Sequence, residues 1–317
     1  MAIDVLHNWR NLAPEARGAA VAFGNFDGIH LGHQRVIADA AVAAFRLGAP
    51  LGVVTLEPHP ITLFNPGGPP FRLTNIHQIA RVLDGLAVER LYLLPFGQQM
   101  ANLSDRAFVE EILVKGLCVR HVAVGFDVTF GKDRTGDPAA MLRYGEEFGF
   151  SVSVAEAVVA EHDAKISSSA IRAELHDGRP EAAAHLLGRP FAIEGVVEKG
   201  QQLGRKLGFP TANVPLGEYV APKFGVYATR TRLRDGRHLP GVANIGVNPT
   251  TGLVEPRLEV WIFDFDEDIY GEVIETELLA FLRPEETFRD AAGDFDVAGM
   301  VRQIHRDAAQ AREILGA

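Results

Sequence analysis

Residues 19–33 read AAVAFGNFDGIHLGH. The first five are small or apolar, the composition of a short buried strand. An apolar helical pattern then runs over 32–47. Between the two, Gly24 and Gly28 permit a tight turn and close approach of a ligand to the backbone. His30 and His33, spaced H-x-G-H, fall at the entry of the helix, where unpaired N–H groups favour an anion. Two imidazoles there can donate hydrogen bonds to a phosphoryl group that gains negative charge in its transition state. Gly32 keeps side-chain bulk out of that approach. A capped helix start with two surface histidines is the plainer alternative, and the strand–turn–helix context favours the phosphoryl reading.

Working outward, short apolar runs at 19–23, 51–56, 90–96, 121–126 and 151–158 alternate with helical patterns at 32–47, 76–86, 104–116 and 138–148. Such alternation predicts βα units around a parallel sheet, which places ligands beyond the carboxyl ends of its strands. TLEPHP (55–60) follows the second run and FDVTFGKDRTGD (126–137) follows the fourth. ISSSAIR (166–172) puts three serines before an apolar helical stretch bearing Arg172. Hydroxyls, helix N–H groups and a guanidinium suit a polyphosphate, although serines there also serve simply as an N-cap.

Beyond residue 187 the pattern changes. FAIEGVVEKG, GVYATRTRL, HLPGVANIG, RLEVWIFDF and EVIETELLAFL are β-rich runs punctuated by Gly and Pro. They predict a small antiparallel barrel. Val297, Met300, Val301, Ile304, Ala308 and Ala311 recur at helical spacing and predict one closing helix. In KGQQLGRKLGFPTANV (199–214), Gly200, Gly204 and Gly208 let the backbone curl around phosphates, and Arg205 and Lys206 add charge. Thr211 and Asn213 share a face if extended, and their oxygens suit Mg²⁺; a flexible inter-strand loop is the alternative. On its strand Glu259 alternates with Leu258, Val260 and Ile262, and shares a face with Trp261 and Phe263. A carboxylate so placed is desolvated, which raises its pKa and suits a general base. An exposed strand glutamate is the alternative there.

Charge and cysteine usage bound the partners. The net charge of −10 argues against nucleic acid as a partner. The excess is local: residues 261–317 carry 5 basic and 14 acidic side chains, and the preceding 260 carry 26 and 27. The acidic end therefore reads as solvated surface and leaves the phosphate motifs in a near-neutral body. Cys118 is the only cysteine, so neither an intrachain disulfide nor a Cys-rich zinc site is expected. Without a secretory leader or an apolar run of about 20 residues, the expectation is a cytoplasmic protein with no membrane partner. The sequence sets no oligomeric state.

Over essentially its whole length the chain resembles the prokaryotic bifunctional riboflavin kinase/FAD synthetase family. GNFDGIHLGH, whose H-x-G-H spacing resembles the nucleotidylyltransferase superfamily, TLEPHP, FVEEILVKGLCVRHVAVGFDVTFG and ISSSAIR resemble its adenylyltransferase module. LGFPTAN, GVYA, GVANIG, EVWIFDF, DIYG and LRPEETF resemble its flavokinase module. The resemblance implies a Rossmann-like α/β domain over 1–186 and a flavokinase-like β-barrel with a closing helix over 187–317. It implies that riboflavin is phosphorylated by ATP on its ribityl 5′-hydroxyl to FMN, and that FMN is adenylylated to FAD with release of pyrophosphate, with Mg²⁺. Gly24, Asn25, Phe26, Asp27, His30, His33, Ser167, Ser168 and Arg172 would then bind ATP in the first half, with His30 and His33 catalytic. Gly204, Lys206, Thr211 and Asn213 would bind ATP phosphates in the second, Thr211 and Asn213 with Mg²⁺, and Glu259 would be the base. Ser169, Asn248, Phe126 and Val128 depart from the family's usual residues, outside the positions assigned to chemistry.

Overall fold

The computed structural model describes residues 3–158, 166–200, 204, 207–247, 255–289 and 294–317. The chain forms two compact units, Met1–Pro69 with Ile76–Ser167, and Pro70–Asn75 with Ser168–Ala317.

The first unit is a parallel sheet. Its strands are β1 (Asp4–Leu6), β2 (Ala20–Phe23), β3 (Leu51–Glu57), β4 (Arg90–Pro95), β5 (His121–Gly125) and β6 (Ser151–Ala155), in the order β1-β4-β3-β2-β5-β6. All pairings are parallel. The helices are α1 (Leu31–Leu47), α2 (Pro60–Phe64), α3 (Ile76–Gly85), α4 (Gln98–Ala101), α5 (Asp105–Phe108) and α6 (Pro138–Phe148). The central strands are apolar along their length because both faces are covered. One face packs Ala20 and Ala22 on Val36, Ile37, Ile79 and Leu83; the other packs Val21 and Phe23 with Phe108, Ile112, Leu113 and Met141. The chain leaves β2 toward β3 and β4, then returns on the other flank as β5 and β6. Strand order therefore reverses beside β2, where open α/β sheets bind ligands.

The helix expected over 104–116 is α5 continued by the wider i→i+5 turns of Val109–Gly116. The sequence reading missed β1, a three-residue edge strand too short to show a periodicity.

The second unit is an antiparallel, nearly closed barrel with strands β7 (Phe191–Val196), β8 (Ala212–Pro215), β9 (Gly225–Arg232), β10 (His238–Gly246), β11 (Arg257–Ile262) and β12 (Val273–Pro284), in the order β7-β12-β9-β10-β11-β8. The Glu198–Asn213 bridge brings the ends of that order together. Leu258, Val260 and Ile262 point into the core as their alternation predicts. Two register shifts in β12, after Leu278 and after Phe281, turn the strand. Leu278 thus faces the barrel core, whereas Ala280 faces the closing helix α9 (Val297–Leu315). On α9 burial concentrates in the second half, at Asp307, Ala308 and Ala311.

Helices α7 (Ser168–His176) and α8 (Pro180–Leu187) belong to this compact unit, which begins earlier than residue 187. Ile171, Leu175, Ala183 and Leu187 complete the barrel core, as does Leu73 of the 70–75 segment. That segment is tied down by Arg72 N–H donating to Glu218 O (2.9 Å), Val220 N–H to Arg72 O (2.8 Å) and Asn75 Nδ2 to Glu194 Oε1 (3.0 Å).

Candidate active sites

In the first unit the turn after β2 is shaped by Gly28 (φ +86°) and Ile29 (φ +41°). A β-branched residue in the left-handed region is strained by about 1–3 kcal/mol, a cost tolerated where the surroundings fix the conformation. Here the Ile29 side chain is fully buried in the sheet core. The strain delivers His30 to the N-cap of α1, where its Nδ1 accepts the His33 backbone N–H (3.2 Å). That hydrogen bond leaves Nδ1 unprotonated and puts the proton of a neutral His30 on Nε2, making Nε2 a donor.

His33 stacks on His30 with ring centroids 3.6 Å apart and planes 16° apart. Burial pushes its pKa well below the ordinary histidine value, and the adjacent His30 pushes it further down. The His33 ring is therefore neutral near pH 7. The Nδ1 of His33 is buried and has no hydrogen-bond partner. Phe26, also buried, meets His33 edge-on at 5.1 Å. Asp27 is buried and Asn25 is exposed.

Neighbouring segments converge on this turn. Thr55 at the end of β3 accepts the Phe26 N–H through Oγ1 (3.4 Å). A Cβ on Gly32 would lie 3.1 Å from the His30 ring and 3.7 Å from the Ile166 carbonyl, so the serine motif begins beside the histidines. His59, in TLEPHP, caps α2 as His30 caps α1, its Nδ1 accepting Ile61 N–H (3.2 Å). Ser167 ends the first unit, whereas Ser168 and Arg172 lie on α7 of the second. Arg172 Nε donates to Phe71 O (2.7 Å) there. Of the departures from the family pattern, Phe126 is exposed and Val128 packs against the sheet core.

In the second unit Ala212 and Asn213 of the PTAN stretch open strand β8, which excludes the flexible-loop alternative at its end. Ala212 and Val214 enter the core, which leaves Thr211 and Asn213 for the opposite face. Register sets Glu259 directly across from Asn213 on one side and from Asn244 on the other. The polar row Asn213–Glu259–Asn244 thus crosses three strands on the outer face. Farther along that face, Trp261 and Phe263 pack with α9, and Phe209 meets Trp261 (4.9 Å) and His305 (5.1 Å). Burial pushes the Glu259 carboxyl up, Arg257 opposes the shift and Glu285 adds to it. The exposed-glutamate alternative fails on that burial.

Thr211 and Asn213, with Gly200, Asp268 and Tyr270, line a cavity of about 240 Å³, which Glu259 itself does not line. Asn213 Nδ2 donates to Thr211 O (3.4 Å), which leaves Oδ1 as its acceptor. A Cβ on Gly200 would sit 2.6 Å from that amide, and one on Gly204 would collide with Phe209 O. At Gly204 the clash is with backbone, so glycine is required there. A hydroxyl and an amide oxygen in such a cradle fit a hard cation that keeps waters and phosphate oxygens as its other ligands. Arg205, Lys206 and Asn248 lie outside the described residues.

The sequence reading singled out neither Asn244 nor Glu285. Period-two counting along β10 and β11 shows which residues face outward, but only their register puts Asn244 beside Glu259.

Fold and sites together describe two units: a parallel sheet carrying an H-x-G-H turn, and an antiparallel, nearly closed barrel carrying the Asn213–Glu259–Asn244 row. Comparison with known proteins is specific. The FAD synthetase family model matches residues 12–170 and the riboflavin kinase model residues 187–315. The bifunctional riboflavin kinase/FMN adenylyltransferase of Escherichia coli (strain K12) is 37% identical over 311 residues, covering 98% of this chain and 96% of that protein. Its counterpart in Pseudomonas fluorescens is 39% identical over 313 residues, 98% of each chain. A crystal structure described as a macrolide-efflux protein from Streptococcus pneumoniae superimposes with a TM-score of 0.83 at 32% identity, covering 97% of both chains. No helix among the described residues is long and apolar enough to cross a membrane. The chain belongs to the bifunctional riboflavin kinase/FMN adenylyltransferase family.

Proposed function

We propose that the chain performs two successive ATP-dependent transfers on one flavin, with the division of labour at residues 186 and 187. The observation that supports this reading is the presence, in one chain, of the H-x-G-H turn after β2 of the parallel sheet and the Asn213–Glu259 pairing on the barrel. In the kinase reaction the ribityl 5′-hydroxyl of riboflavin gives its proton to Glu259, and its oxygen attacks the γ-phosphorus of ATP. The bond to the ADP oxygen breaks, and FMN and ADP leave. A carboxyl pushed up by burial is a stronger base than an exposed one. Thr211 and Asn213 would hold Mg²⁺, and Gly204 and Lys206 the ATP phosphates; the ion supplies neutralisation of phosphate charge when bound.

In the second reaction an FMN phosphate oxygen attacks the α-phosphorus of ATP, and pyrophosphate leaves. His30 donates through Nε2 to the phosphoryl oxygens as they gain charge, because its Nδ1 is committed to the helix cap. His33, neutral and stacked on it, avoids the repulsion that two adjacent cations would create. Gly24, Asn25, Phe26 and Asp27 form the rest of the ATP-binding turn. The roles of Ser167, Ser168 and Arg172 toward the triphosphate rest on the ISSSAIR motif. Small molecules are thus the partners, and a cytoplasmic setting suits the one exposed cysteine, Cys118.

The test is to incubate the protein with riboflavin, ATP and Mg²⁺ and separate the flavins by chromatography. FMN should form first and FAD follow. FMN that never proceeds to FAD overturns the assignment of the first unit. Riboflavin left unchanged, with added FMN still converted, overturns that of the barrel.

A further inference from the structure

His121 opens β5 beside Ala20, the first residue of β2, at the far end of the sheet from the turn that carries His30 and His33. It is buried, and neither transfer reaction uses it. Both of its ring nitrogens meet serines of β6: Nδ1 lies 2.8 Å from Ser151 Oγ and Nε2 2.9 Å from Ser153 Oγ. The direction of each bond follows from the protons available. Ser151 gives its hydroxyl proton to the Arg120 carbonyl (3.4 Å), so its Oγ accepts from His121 Nδ1–H. Burial pushes the His121 pKa below the ordinary histidine value. Asp39 of α1, itself paired with Arg35 (3.2 Å), opposes that shift without reversing it. The ring is thus neutral near pH 7 with its one proton on Nδ1, and Nε2 accepts Ser153 Oγ–H.

A hydroxyl within hydrogen-bond reach of a base, with that base oriented by a third group, is the arrangement that activates a serine. Ser153 is only half-buried, and β6 is the edge strand of its sheet. Ser151 N–H points inward to Arg120 O (3.2 Å). Backbone N–H groups alternate along a strand, so the N–H of Val154, directly after Ser153, points to the open edge. There it can donate to an oxyanion formed at Ser153. We propose that Ser153 is a nucleophile that takes the acyl group of an activated ester, with His121 as its base and Ser151 as the group that orients the base. Ser153 Oγ bonds to the carbonyl carbon while its proton passes to His121 Nε2. The ester C–O bond then breaks, and the leaving oxygen takes that proton from His121. Acyl-Ser153 and an alcohol result. Ser153 and His121 act on the reacting atoms, whereas Ser151 acts through His121 and is a positioning residue.

The test mixes the full chain with p-nitrophenyl acetate, follows p-nitrophenolate release and locates acetyl groups by peptide mass mapping. Wild type should gain an acetyl group on Ser153, at a rate that is flat with pH above about 6.5 because the base is already unprotonated there. Acetylation of lysines would instead keep rising with pH. His121→Gln should slow Ser153 acetylation about 10²-fold, within the range of general-base contributions. Ser151→Ala leaves nucleophile and base in place and should slow it about tenfold, as misplacement of a catalytic group does. That variant carries the test if His121→Gln does not fold. Ser153→Ala should lose the matching p-nitrophenolate release. All three variants should keep riboflavin phosphorylation and FMN adenylylation within about twofold of wild type, which reports an intact fold. Acetyl groups on lysines alone would overturn the proposal. So would Ser153 acetylated at the wild-type rate in both His121→Gln and Ser151→Ala.

Discussion

The two candidate sites are assembled in different ways. In the parallel-sheet unit the proposed reactive groups lie on one strained turn, a few residues apart, and are held by the start of a helix. In the barrel they come from separate strands and meet only through register. His33, half-buried, is kept neutral below its ordinary pKa; Glu259, also half-buried, is pushed above its own. Burial disfavours charge in both, so an imidazole becomes a neutral partner and a carboxylate becomes a more basic one. A local turn is hard to repair once its backbone is altered, whereas a register-built row tolerates change on strands that it does not use.

The largest expected effect is at Glu259. Glu259→Gln should lower the riboflavin phosphorylation rate by about 10²–10⁴, the range of general-base contributions, and leave FMN adenylylation near wild type. His30→Ala should reverse that pattern, with adenylylation falling by about 10²–10³, as for loss of a transition-state donor. It also removes the cap on α1 and should cost about 1 kcal/mol in thermal unfolding. Equal loss of both activities in either variant would break the contrast between the units.

How much of this was legible in the sequence follows from the same contrast. The H-x-G-H turn could be read directly, because spacing along one turn is spacing in space. The parallel sheet was legible from alternating runs, and the outward set Glu259, Trp261 and Phe263 from period two. Asn244 and Glu285 were not, since two register shifts in β12 and the pairing of β10 with β11 bring them together. Nor could sequence show that α7, α8 and Leu73 complete the barrel core. Their apolar faces look the same whichever core receives them.

Smaller effects sharpen the comparison. Arg283 donates from Nε and Nη2 to the buried Asp307 of α9 (3.0 and 2.8 Å), so Asp307→Ala removes that partner and should destabilise the protein by about 3 kcal/mol in chemical denaturation. Gly32→Ala places a methyl 3.1 Å from the His30 ring and should lower the adenylylation rate about tenfold, as small misplacements of catalytic groups do, with kinase kinetics unchanged. The smallest effect is a pH dependence. The folded-state pKa of His33 is depressed, so just below the ordinary histidine value the unfolded chain binds a proton that the folded chain does not. Stability should therefore fall as pH drops below about 6.5, and His33→Gln should flatten that slope.

Two independent sites that act in turn on one flavin should be separable by mutation. The most direct measurement gives Glu259→Gln and His30→Ala each, separately, riboflavin or FMN with ATP and Mg²⁺, and follows the products by chromatography. Glu259→Gln should make FAD from FMN but little FMN from riboflavin, and His30→Ala should make FMN and stop there. Either variant losing both steps, or keeping both, would contradict that separation.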